Sequence, residues 1–131
     1  MGEQTILEIG TIKLDWSDWV PWRDVSADNR GGAGVSIPNM IAGVYEVRSI
    51  NNHVDDRIYI GKAGDLRLRV RQGLVKGKLP HSGGRHIREQ EDVSRLVVRW
   101  AATSRPAAAE EELHRAYRAR FGRLPTYVLN S

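Results

Sequence analysis

Two alternating segments joined by a polar turn constrain this chain more than any other feature. In "GVYEVRSI" (43–50) and "RIYIGKA" (57–63) apolar residues recur at every second position, and "NNHVDD" (51–56) between them has turn composition. The pattern predicts an antiparallel hairpin. Tyr45 and Tyr59 fall near the middle of its two strands, with Val44, Ile58 and Ile60 facing away from them. Both phenols can therefore share one face. Two half-buried strand tyrosines would also be unremarked, because aromatics suit a pleated surface. Gly61 and Gly64 then interrupt, with Gly61 expected to let the chain turn. Asp65 has the N-cap residue type for a helix from Leu66 to about Val75.

The rest of the chain extends this unit. "KGKLPHSGG" (76–84) reads as a loop, 85–92 as a short helix and "RLVVRWAAT" (95–103) as a strand with a buried centre. Thr103 or Ser104 and Pro106 open a last helix, which Gly122 ends. Residues 1–40 differ in character and read as an N-terminal extension to a domain spanning 41–131. "TILEIGTIKLDW" is strand-like with a glycine break, and Trp16, Trp19 and Trp22 recur every third residue until Pro21 bends the segment. These tryptophans are expected to cap the core; a base-stacking or partner surface is the alternative. The predicted fold is α+β, a small, mainly antiparallel three-stranded sheet flanked by helices.

Charge narrows the partners. The net charge of +4 is unevenly spread: residues 1–40 carry three basic and six acidic residues, and the remainder carries 17 and 10. The basic character belongs to the C-terminal part, which fits a polyanionic partner or a merely solvated cationic surface. With no cysteine in 131 residues, disulfides and thiolate chemistry are excluded. No apolar run could span a bilayer and no secretory signal is visible, so a cytoplasmic setting without membrane association is expected.

Helical projection separates the polar residues. On the first helix Leu66, Val70 and Leu74 form the apolar stripe; Arg67 and Arg71 lie to one side and Arg69 alone to the other. The same projection fits three solvated arginines equally well. On the last helix Glu110 falls inside the stripe of Leu113, Tyr117 and Phe121, whereas Glu111 and Glu112 point elsewhere. A carboxylate there needs a partner, a proton or a metal. A first-turn position at the core's rim, satisfied by amides and the helix dipole, would serve as well.

Together these residues resemble the GIY-YIG endonuclease superfamily. The carriers are "GVY" (43–45), "YIG" (59–61), an arginine ten residues after the second tyrosine and a glutamate on a later helix. "YIGKAGDLRLRVRQ" is similar to the amino-terminal nuclease module of the bacterial excision-repair incision subunit. "EEEL" (110–113) matches the family's E-x-x-L, which selects Glu110, and "LPTYVLN" resembles its closing segment, ending here in Asn130. The family often has a histidine or tyrosine one turn after the arginine. This chain has Gly73 there, so that either His81 or His86 substitutes in space or no residue does.

The resemblance implies a metal-dependent endonuclease acting on nucleic acid, DNA before RNA, with a non-catalytic binding module as the alternative. Glu110 would hold one Mg²⁺ or Mn²⁺. Arg69 would donate to the non-bridging phosphate oxygens. Tyr45 would take the proton of the attacking water, its pKa lowered by Lys62 and the metal, while Tyr59 positions water or phosphate. Arg67, Arg71, Lys76, Lys78, Arg85, Arg88 and Asn130 would contact the nucleic acid.

Overall fold

The computed structural model describes residues 6–9, 12–26 and 36–129. The predicted hairpin forms from β4 (Gly43–Ser49) and β5 (Tyr59–Ala63), in the register Tyr45 opposite Gly61 and Val47 opposite Tyr59. β6 (Leu96–Ala102) pairs antiparallel with β4 on its other side. The sheet has four strands rather than the three expected, because β3 (Val20–Pro21) adds to β6 and gives the order β3-β6-β4-β5. The extra strand is two residues long and contains a proline, which hides it from any alternation test and confines it to an edge. A separate hairpin, β1 (Ile6–Ile9) with β2 (Ile12–Asp15), accounts for the glycine-broken N-terminal run.

Helices cover both sheet faces. One core joins Tyr45, Val47, Val98 and Trp100 to α1 (Trp22–Ser26), to a helical segment after β5, and to α2 (Ser82–Gln90). The other joins Val44, Ile60 and Ala101 to Ala109, Leu113 and Tyr117 of α3 (Pro106–Phe121) and to Ile12, Leu14 and Trp16. Trp16 and Trp22 are thus interior residues, one in each core. Trp19 stacks near the guanidinium groups of Arg57 and Arg99, at 4.7 and 4.5 Å from its ring centre. Those two arginines share the buried Glu46, whose Oε1 accepts from Arg57 Nε at 2.9 Å and from Arg99 Nη2 at 2.8 Å. Among the described residues no helix is long and apolar enough to cross a membrane.

Two local departures from expectation matter for the site. The segment after Asp65 is π-helical over Leu68–Val75, with Lys76 N–H bonded to Arg71 O at 2.9 Å, five residues back. Its wider turn advances each residue by less than an α-helix does. Val75, which an α-projection puts outside, is buried with Val70 and Leu74. Gly61, in turn, lies within β5 and makes no turn. A Cβ there would meet Tyr45 Oη and Tyr59 Cε2, each at 2.7 Å, so glycine is the space the two rings occupy.

Candidate active site

The hairpin register puts Tyr45 and Tyr59 diagonally across Gly61 on one face, with ring centres 5.9 Å apart. α2 supplies a third ring. Its cap residue, His81, accepts from Gly84 N–H through Nδ1 at 2.9 Å. The neutral ring therefore carries its proton on Nε2, which donates to Tyr45 Oη at 2.6 Å. Tyr59 packs on the same imidazole, with centres 5.4 Å apart. A Cβ at Gly83 would sit 2.4 Å from Tyr59 Cε1, and one at Gly84 would sit 2.7 Å from Leu74 O. These glycines let α2 approach, and they obscure its first turn, so it begins earlier than the expected 85–92. Of the two imidazoles that could substitute for the missing one-turn-on residue, His81 is the one in this cluster. Gly73 leaves the room: a Cβ there would already lie 3.5 Å from His81 Cδ2.

Arg69 is the cation of the cluster. It leaves the π-helix toward the 76–81 loop, where Nη1 donates to Pro80 O at 3.1 Å. Burial raises the Tyr45 phenol well above its ordinary range and the Tyr59 phenol more modestly; Arg69 lowers both. The two phenols also act on each other, which raises Tyr45 and lowers Tyr59. His81 is pushed down to about 4 by burial first and then by Arg69 and Arg88. This electrostatics revises two expectations. The cation acting on the phenols is Arg69, whereas Lys62 is turned to the opposite sheet face and sits 4.0 Å from Glu110 Oε1. Tyr45 is fully buried, so Tyr59, half-buried, is the phenol that meets solvent.

Glu110 comes from the far side of the sheet. It lies in the second turn of α3 rather than the first, too deep for the compensation by helix-end amides that a first-turn position would give. Its side chain is 23% exposed, which leaves the carboxylate open to a ligand. Because β5 is an edge strand, residues from both faces meet along it. There Tyr59, Lys62, Gly64, Arg69, Ala107 and Glu110 line one groove of about 450 Å³. Among the described residues no group of three or more His, Cys, Asp or Glu side chains converges. A metal ion at Glu110 would have few protein ligands. That donor set fits a hard cation, which keeps several waters and takes phosphate oxygens from its substrate.

The expected nucleic-acid contacts divide. Lys78 and Arg85 are exposed and Lys76 is half-buried. Arg71 is buried and donates through Nε to Val25 O at 3.0 Å, which corrects its expected surface role. Arg67 Nε binds Ile37 O at 2.8 Å, and Arg88 Nη1 closes the π-helix on Leu74 O at 2.6 Å. Both are half-buried, with this backbone bond as one anchor of the side chain. Asn130 lies outside the described residues. Sequence reasoning does not single out His114, although its spacing from Glu110, four residues on the same helix, is a readable signal; it borders the groove beside Lys62 and Glu110. Comparison with protein-family models, with curated proteins and with solved structures found no match.

Proposed function

We propose that this chain is a metal-dependent endonuclease hydrolysing phosphodiester bonds in DNA, on a GIY-YIG-like scaffold. The observation that carries the reading is convergence. Tyr59, Arg69 and Glu110, from β5, the π-helix and α3, line one groove at the sheet edge, and the buried Tyr45 of β4 packs behind Tyr59. Both phenols lie within the influence of one guanidinium, and Arg69 shares a groove with Glu110.

In this reading Tyr59 accepts the proton of the attacking water. Its phenolate would be stabilised by Arg69 and by the Tyr45 hydroxyl, which His81 holds in place. Arg69 donates to the non-bridging oxygens, where charge develops in the transition state. A Mg²⁺ or Mn²⁺ ion at Glu110 would supply charge neutralisation at the phosphate and assistance to the leaving oxygen. Lys62 borders the same groove and adds positive charge. Lys78 and Arg85 would hold the backbone through salt-sensitive contacts.

One observation favours the alternative, a non-catalytic nucleic-acid-binding module on the same scaffold: both phenols are raised above 10 in the protein alone. Supercoiled plasmid, single-stranded and branched DNA, and RNA, incubated with purified protein and Mg²⁺ or Mn²⁺, separate the two. Nicking or cutting lost in Arg69→Ala supports the hydrolase. Intact substrates under every condition, with salt-sensitive binding retained in Glu110→Ala, identify the binding module.

A further inference from the structure

His114 has no role in the chemistry above, yet it borders the same space as Glu110. It sits one turn further along α3, so the two side chains share a helix face with Cβ atoms about 5–6 Å apart. Both line the groove beside Lys62 and the smaller one beside Tyr59. His114 Nε2 lies 2.9 Å from the carbonyl oxygen of Ile60. A carbonyl only accepts, so Nε2 carries the proton and the neutral ring keeps its lone pair on Nδ1. Metal-ligating histidines are commonly oriented in this way, by a backbone carbonyl on the other ring nitrogen. Ile60 separates Tyr59 from Gly61, so the bond also ties the imidazole to the strand that carries the exposed phenol.

We propose that His114, through Nδ1, is a second protein ligand for a divalent cation at Glu110. This rests on the metal-dependent reading above and refines it. An imidazole nitrogen adds affinity for Mn²⁺ or Co²⁺ far more than for Mg²⁺, which favours oxygen ligands and its own waters. The site is therefore manganese-selective. Lys62, 4.0 Å from the carboxylate, is the resident counter-charge that an incoming cation displaces.

The test uses the full chain without nucleic acid. Mn²⁺ is titrated while the electron paramagnetic resonance signal of the unbound ion is followed, and Mg²⁺ is added in competition. His114→Gln is the informative variant, because its amide can still donate to Ile60 O but offers no imidazole; circular dichroism and thermal unfolding establish that it folds. The expected result is Mn²⁺ binding about 10- to 100-fold weaker in His114→Gln, with Mg²⁺ affinity close to wild type. Glu110→Ala should lose both ions, and bound Mn²⁺ should broaden the His114 ring resonances in the wild type. Equal Mn²⁺ affinity in wild type and His114→Gln overturns the proposal, as do His114 resonances that stay sharp at full occupancy. A chain that binds Mn²⁺ through both residues but cuts nothing overturns the hydrolase reading alone. A chain that cuts, with Mn²⁺ held equally in His114→Gln, overturns the second ligand alone.

Discussion

Tyr59 is the residue on which the proposed chemistry turns, because it joins the buried cluster to the groove. Its phenol is raised by burial and lowered by Arg69 and Tyr45, and only its ionised form can accept a proton. Cleavage under kcat/KM conditions should therefore climb with pH through the alkaline range, and Tyr59→Phe should remove both the activity and its slope. A flat profile in the wild type assigns the proton acceptor elsewhere. His81 makes a different pH statement. Its folded pKa of about 4 lies below the ordinary 6.5, so between those values the unfolded chain takes up a proton that the native state refuses. Stability is fully present above pH 6.5 and falls as pH drops through the window, by about 3 kcal/mol for this one group. Urea unfolding at pH 7 and pH 4 should show that extra loss in the wild type and lack it in His81→Gln; equal losses would mean the imidazole is not neutral in the folded protein.

At the scale of elements, the π-helix decides which arginines face solvent. The α-projection isolates Arg69 correctly because it lies early in the segment, before the wider turn has accumulated much drift. It fails for Arg71 and Val75, which the wider turn carries inward. The strands and α3 are legible because alternation, a Pro106 start and a Gly122 stop are local signals; Gly122 takes the left-handed conformation at φ 71°. What sequence does not reveal is spatial: that Gly61 makes room for two rings, that Gly83 and Gly84 admit α2, and that His81 fills the space Gly73 leaves. Arg71→Met should cost about 1–3 kcal/mol by orphaning the buried Val25 carbonyl, while leaving the salt dependence of DNA binding unchanged. Lys78→Ala and Arg85→Ala should behave oppositely, with stability near wild type and the salt slope reduced by about one each. Denaturation curves and binding isotherms at several salt concentrations read both effects.

For the whole molecule, the N-terminal segment is part of the construction. β3 is the fourth strand, Trp22 and Val25 enter one core, and Trp16 enters the other. A surface built on all three tryptophans is not available, since two of them are interior. Trp22→Ala should destabilise the chain by about 3–5 kcal/mol, read as a lower urea midpoint of one cooperative transition. A separate early transition that leaves the rest intact would instead mark residues 12–26 as peripheral.

One comparison bears most directly on the convergence at the β5 edge. The wild type and Glu110→Ala are given the same end-labelled DNA and Mn²⁺ at one salt concentration, and binding and strand scission are both measured. The expected result is scission by the wild type, reduced to background in Glu110→Ala while its binding stays close to the wild-type value. Binding by both proteins with scission by neither, or scission that survives without the carboxylate, would contradict it.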